Sequence, residues 1–156
     1  MDFLVDAFTN PIIIVPTISW MIAQVLKAVI NALVNKKFSL DRLFGDGGMP
    51  SGHSATVMAL ASMCGIEVGF GTPLFAVTAI LAIIVMHDAT GVRRETGKQA
   101  SVIIGIATVI GEYFSEVDKK VKDEKLKVMV GHSPLQVVIG AILGVLVALF
   151  YLWFFK

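Results

Sequence analysis

The sequence predicts an all-α protein, a polytopic bundle of transmembrane helices with four full spans plus a half-span or interfacial helical hairpin. Two observations indicate this fold class. Of the 156 residues, 56% are hydrophobic and only 16% are charged, against about 45–50% and about 25% in ordinary soluble domains. Four apolar stretches also come close to or exceed the roughly 20 residues that a helix needs to cross a bilayer. So much apolar surface must face lipid, which excludes a free-standing soluble domain.

The four predicted spans follow one another along the chain. Residues 11–34 form the first span, which contains one internal cation, Lys27. Residues 51–68 form the second, with His53 near its start and Glu67 near its end. Residues 68–86 and 133–155 form the third and fourth, and neither contains a charged side chain.

Residues 99–111 are apolar over too short a length to cross the membrane comfortably, and a lysine-rich segment, 116–127, follows them. We therefore predict a half-span or one arm of an interfacial hairpin here. No internal repeat is evident, so residues 1–156 are interpreted as one membrane-embedded domain. The net charge of +1 gives no indication of a nucleic-acid partner.

Polar side chains of the first span share one helix face, because Trp20, Gln24, Lys27, Asn31 and Asn35 recur at spacings of 4, 3, 4 and 4 residues. Polar groups that face hydrocarbon are costly, so this face should line a protein interior or a watery cavity. A cation embedded there, Lys27, calls for an anionic partner.

Gly140 and Gly144 in the last span form a G-x-x-x-G pattern, which lets a second helix approach closely. This surface makes a homodimer a reasonable expectation.

Two histidines lie at predicted helix starts, His53 after Pro50-Ser51-Gly52 and His132 before Ser133-Pro134. Two imidazoles can divide a substitution at phosphorus between them, one as the nucleophile and the other as the proton donor. The glycine-rich residues 47–52 offer backbone N–H groups to a phosphate, and Arg93 and Arg94 offer guanidinium groups. The structural alternatives are that the two histidines only cap helices and that the two arginines only determine membrane topology.

The run Gly47-Gly48-Met49-Pro50-Ser51-Gly52-His53-Ser54-Ala55 resembles the P-S-G-H motif of the type 2 phosphatidic acid phosphatases. Residues 131–140 are similar to the latter half of that family's last motif, R-x5-H-x3-D followed by an apolar helix. The resemblance is closest to the divergent branch of the family. It covers nearly the whole chain, through Ala23-Gln24 with Lys27 and the block at residues 88–94.

The resemblance implies a role for each matching residue. His132 would be the nucleophile that forms a transient phosphohistidine, and His53 would be the general acid for the leaving group. Ser51 and the Gly52 backbone would bind phosphate oxygens. The family mechanism implies no metal and no other cofactor.

The chain also departs from the family pattern. The first motif, K-x6-R-P, is not matched in this chain. Lys27 and Arg42 are candidate substitutes for its cations. Gln24 is a further candidate for substrate binding, because it lies on the same polar helix face as Lys27. The arginine expected six residues before His132 is Leu126, so Arg93 and Arg94 are candidates to supply its charge.

The family's aspartate four residues after the nucleophile is Gln136 in this chain. Its amide oxygen could accept a hydrogen bond from His132 and fix the tautomer, but without a full negative charge. Asp88 is a candidate to replace that carboxylate. The structural alternative is that Asp88 only forms a salt bridge with Arg93 or Arg94.

These residues predict a membrane-embedded lipid phosphatase that acts on lipid phosphate monoesters or pyrophosphates, such as phosphatidic acid, phosphatidylglycerophosphate or polyprenyl phosphates. Membrane lipids would surround it. The alternative is a non-catalytic component that binds or transports lipid phosphates. A vanadate-using oxidase is a third and weaker alternative, because no peroxide-handling group is visible.

A shared phosphate requires His53 and His132 to lie on one face of the membrane, so residues 99–130 must return to the face that they leave. Most cations then fall on the catalytic face: Lys36, Lys37, Arg42, Arg93, Arg94, Lys98, Lys119, Lys120, Lys122, Lys125 and Lys127. Because cytoplasmic loops are enriched in Lys and Arg, we expect the active site on the cytoplasmic face of a bacterial cytoplasmic membrane.

Overall fold

The computed structural model describes residues 2–36, 48–111 and 131–155, and the regular structure in these ranges is entirely helical. The prediction of an all-α protein is confirmed for them. Their six helices are α1 (Asp2–Thr9), α2 (Pro11–Asn35), α3 (Gly52–Val68), α4 (Pro73–Thr90), α5 (Val92–Gly111) and α6 (Pro134–Phe155).

Three helices begin at a proline, as the proline residues in the sequence favour. Proline has no N–H to satisfy, and its fixed φ suits the first helical position. Asn10 caps α2 by accepting a hydrogen bond from Ile12 N–H at 2.9 Å. Thr72 caps α4 in the same manner through Phe75 N–H at 3.4 Å.

The third predicted span begins too early. We expected it over residues 68–86, whereas α3 ends at Val68 and α4 runs from Pro73 to Thr90. A turn separates the two helices, with Gly69 at a φ of +109° and Thr72 as the cap. The turn residues 69–72 carry no charged side chain, so the uncharged stretch that predicted the span extended across them.

The predicted half-span is part of a longer helix. Helix α5 begins at Val92 and follows α4 after the single residue Gly91. Its first turns are polar, and Lys98 forms an exposed ion pair with Glu95. The lysine-rich segment 116–127 lies outside the described residues.

Three stretches of the described residues are long and apolar enough to cross a membrane: Pro11–Val34, Pro73–Ile110 and Pro134–Phe155. Helix α3 has 17 residues, which at 1.5 Å each span about 26 Å, slightly less than the roughly 30 Å hydrocarbon layer. The predicted helical membrane bundle is therefore confirmed, whereas the predicted count of four full spans and a half-span is not.

Helix α3 is the centre of the bundle and contacts α2, α4 and α6. Its buried residues are mostly small, which allows neighbouring backbones to come close. They are Gly52, Ser54, Ala55, Val57, Ala59, Ala61, Met63, Cys64 and Gly65. Met63 also packs with Val15 of α2 and Ala148 of α6 in an apolar cluster.

Helices α3 and α6 run in the same direction. A methyl group on Gly140 would collide with the carbonyl oxygen of Ser51, and one on Gly144 would collide with that of Ala55. Increasing residue numbers on α6 thus meet increasing numbers on α3, and both helices begin at the same end of the bundle. The glycine face packs within the chain, so it gives no support to the homodimer that we expected from it.

Helix α2 runs antiparallel to α3. Lys27 lies beside Gly48, Gln24 lies beside Gly52, and Ser19 donates a hydrogen bond to the carbonyl oxygen of Ala55 at 3.2 Å. The C-terminal half of α2 therefore flanks the start of α3.

Candidate active site

The two histidines come together at the shared end of α3 and α6. His53 is the second residue of α3, and His132 lies two residues before α6. Their ring centroids are 6.0 Å apart, with an interplanar angle of 62°. His132 is 2% exposed and His53 is half-buried. Both imidazoles can therefore reach one anion, although they lie 79 positions apart in the sequence.

Backbone hydrogen bonds fix the position of His132. Its N–H donates to the carbonyl oxygen of Ala89, near the end of α4, at 2.9 Å. Four residues later, the carbonyl oxygen of Gln136 accepts the N–H of Ser51 at 3.0 Å. Gly131 has a φ of +86°, a conformation that glycine adopts without steric cost. The start of α6 is thus tied to both α3 and α4.

Ser51 caps the helix that carries His53. It is fully buried, and its Oγ accepts the N–H of Ser54 at 3.3 Å and the hydroxyl of Ser54 at 3.0 Å. Gly52, the first helical residue, is also buried. The N-terminus of a helix offers N–H groups and a partial positive charge, which suit an anion.

Lys27 and Gln24 face this helix start from α2, as their spacing predicts. Lys27 is 5% exposed, and its Cγ lies 3.2 Å from where a Cβ on Gly48 would be. Trp20 Cδ1 and Gln24 Cδ lie 3.4 and 3.9 Å from the corresponding point at Gly52. The Gln24 side-chain oxygen is buried and accepts no hydrogen bond from the described residues. Side chains of the polar face of α2 therefore form one wall of the site.

Two of the charged candidates, Asp88 and Arg94, lie around the end of α4. Asp88 is half-buried and directly precedes Ala89, whose carbonyl oxygen binds His132. Arg94 is exposed in the first turn of α5. The side chain of Arg93 and the whole of Arg42 lie outside what the structure describes.

Gln136 has a hydrogen-bond partner that the sequence did not predict. Its side-chain oxygen, which we expected to accept a hydrogen bond from His132, accepts the Ser133 N–H at 3.0 Å, and Ser133 Oγ accepts the Gln136 N–H at 3.4 Å. This reciprocal pair is a capping box, which satisfies two N–H groups at the start of α6.

Two contributors to the site were missed by sequence reasoning. One is the carbonyl oxygen of Ala89, which no side-chain pattern can indicate. The other is Ser54, whose hydroxyl contacts Ser51. Its position three residues after a capping serine was a usable signal, because the cap and the third helical residue face each other.

The sequence pattern described as the Divergent PAP2 family matches residues 8–147. This chain belongs to the Divergent PAP2 family. The match confirms the resemblance that the motifs at residues 47–55, 88–94 and 131–140 indicated.

The chain is also similar to the uncharacterized membrane protein YuiD of Bacillus subtilis (strain 168). The two are 41% identical over an alignment of 139 residues, and the match covers 85% of this chain and 88% of the relative. No solved structure matches the chain. The apolar helices and the membrane-protein relative together make this PAP2-like protein an integral membrane protein.

Proposed function

We propose that this protein is a lipid phosphatase of the membrane, which hydrolyses phosphate monoesters or pyrophosphates of lipids through a phosphohistidine intermediate. The observation that carries the proposal is the 6.0 Å separation of the His53 and His132 rings at the start of two parallel helices. Substrates of the phosphatidic acid, phosphatidylglycerophosphate or polyprenyl phosphate class would present their phosphate at this end.

The reaction divides between the two imidazoles. A nitrogen of His132 attacks phosphorus, and the bond from phosphorus to the lipid oxygen breaks. His53 donates a proton to that oxygen, so the dephosphorylated lipid leaves as an alcohol, or as a lipid monophosphate when the substrate is a pyrophosphate. His53 then takes a proton from water, whose oxygen attacks the phosphohistidine. Inorganic phosphate and the original His132 are released.

The remaining side chains of the site hold the anion. The Ser51 hydroxyl and Gly52 N–H donate to phosphate oxygens, and the Lys27 ammonium compensates negative charge in a place that water barely reaches. Gln24 adds an amide on the same wall. The family's motif arginines are missing at their expected positions in this chain. Their positive charge would come from Arg93, Arg94 and Arg42.

Asp88 is the carboxylate that we propose to support the His132 imidazolium. It lies next to Ala89, to which the His132 backbone is bonded. Gln136 is engaged as a cap, so it contributes to the reaction by holding the start of α6 in place.

The experiment measures phosphate release by the purified full-length protein in detergent micelles across a panel of lipid phosphates. His132→Ala should reduce release to background, and His53→Ala should reduce kcat by about 10²–10⁴-fold, the usual contribution of a general acid. His87→Ala is the matched control, because His87 is exposed at the end of α4. It should retain full activity.

Phosphate release that survives His132→Ala would overturn the mechanism. A second function has one observation in its favour, the uncharged Gln136 at the family's aspartate position. If the wild-type protein binds lipid phosphates through both histidines yet releases no phosphate from any of them, it is a non-catalytic binding or transport component.

A further inference from the structure

Ser54, in the first turn of α3, donates its hydroxyl hydrogen bond to a side chain and not to the backbone. Ser and Thr hydroxyls in helices ordinarily donate to the carbonyl oxygen four residues earlier. Thr56, two residues further along α3, does so by donating to Gly52 at 2.8 Å. Ser54 instead donates to the Oγ of Ser51 at 3.0 Å, and both serines are fully buried.

Tertiary packing leaves the Ser54 hydroxyl available for this bond. In a capping box, the third helical side chain binds the N–H of the capping residue. In α3 that N–H, on Ser51, already donates to the Gln136 carbonyl oxygen of α6. The hydroxyl of Ser54 is therefore directed to the Ser51 side chain.

The Ser51 hydroxyl is left with one hydrogen-bonding role. A hydroxyl has one proton to donate and two lone pairs to accept with. The Ser51 oxygen accepts the Ser54 N–H at 3.3 Å and the Ser54 hydroxyl. With both lone pairs engaged, only the proton of Ser51 remains for a further hydrogen bond, and consecutive hydrogen bonds polarise one another.

We propose that Ser54 is a positioning residue, which holds the Ser51 hydroxyl as a hydrogen-bond donor to a bound phosphate. The inference rests on the proposed phosphate site but not on turnover. The ligand is a tetrahedral oxyanion, either the headgroup of a lipid phosphate or inorganic phosphate. Ser54 contacts neither, and it acts through Ser51.

The test is a double-mutant cycle on the full-length protein in detergent, with Ser51→Ala, Ser54→Ala and the double variant. Trp20 lies beside Gly52, so its fluorescence in a Trp153→Phe background reports binding of inorganic phosphate. The same variants are assayed for hydrolysis of a lipid phosphate substrate and for thermal unfolding.

Ser54→Ala should weaken phosphate binding by about threefold to tenfold when Ser51 is present, the usual range for one buried hydrogen bond. It should have no further effect in the Ser51→Ala background, because the two residues act as one unit. Ser54→Thr, which keeps the hydroxyl, should restore binding. Thr56→Ala should leave binding unchanged, since its hydroxyl bonds only within the helix.

Equal losses from Ser54→Ala in both backgrounds would overturn the proposal and assign Ser54 a purely structural role. Failure of the wild-type protein to bind phosphate would overturn it as well. If phosphate binds and the cycle shows coupling but no lipid phosphate is hydrolysed, the proposed phosphatase activity fails while the role of Ser54 stands.

Discussion

Individual side chains at the histidine end of the bundle carry the proposed anion site. Lys27 is a cation inside an apolar helix, and its side chain lies along Gly48 at 5% exposure. The φ of +91° at Gly48 disfavours any side chain there, which leaves the space that Lys27 occupies. A buried charge is retained in a membrane helix only where it serves a partner.

Lys27→Met should raise KM for a lipid phosphate by about tenfold to a hundredfold, because a hydrogen bond to a charged group contributes about 1.5–3 kcal/mol. Methionine keeps most of the apolar stem and removes the ammonium. Lys98→Met is the control, since Lys98 is exposed and pairs with Glu95. Steady-state kinetics in detergent measure both. An unchanged KM in Lys27→Met would remove this lysine from the site.

At the scale of helices, the position of His132 depends on how closely α6 approaches α3. The backbone of Ser51 occupies the space that a side chain on Gly140 would fill, and the Ser51 N–H binds the Gln136 carbonyl oxygen. Both histidines are therefore placed by one helix–helix contact. The glycine pair is needed for the site as well as for packing.

Gly140→Ala should lower activity by about a hundredfold, because displacement by about 1 Å is enough to misalign reacting groups. It should also destabilise the protein by about 1–3 kcal/mol, the usual cost of overpacking. Gly105→Ala is the control, since a methyl group at Gly105 meets nothing within 4 Å. Phosphate release and thermal unfolding in detergent measure the two effects. Wild-type activity in Gly140→Ala would contradict this role of the contact.

At the scale of the molecule, the directions of the helices determine which helix ends lie at each end of the bundle. The end with the histidines holds the C-termini of α2 and α4 and the N-termini of α3 and α6. The other end holds the turn around Gly69 and the aromatic residues that finish α6. Lys36 at the end of α2 and Arg94 in the first turn of α5 lie at the histidine end, and we propose that this end faces the cytoplasm.

Cysteine labelling in intact cells tests this orientation in a Cys64→Ala background. Gly71→Cys should react with a membrane-impermeant maleimide, because Gly71 is exposed at the end opposite the histidines. Asn35→Cys, at the end of α2, should react only after the membrane is permeabilised. Labelling of position 35 in intact cells would place the site on the outer face.

The sequence was a good guide to some elements and a poor one to others. The starts of α2 and α6 were predictable, because proline and a capping side chain act locally. The start of α4 and the extent of α5 were not, because the uncharged turn was counted with the span that follows it and a polar helical turn resembles a loop. The bond from the Ser133 N–H to the Gln136 oxygen was not predicted, because the family pattern relates this position to His132 and not to the adjacent backbone.

By itself the sequence determined that the protein is a helical membrane protein of the Divergent PAP2 family, since composition and motifs are properties of the chain. It also indicated which face of α2 is polar. Only the tertiary structure decided that the His53 and His132 rings lie 6.0 Å apart and that the buried Ser54 hydroxyl donates to Ser51 Oγ. Those distances depend on two glycines that let α6 run parallel to α3 at close range, and such a contact exists only once the helices have packed.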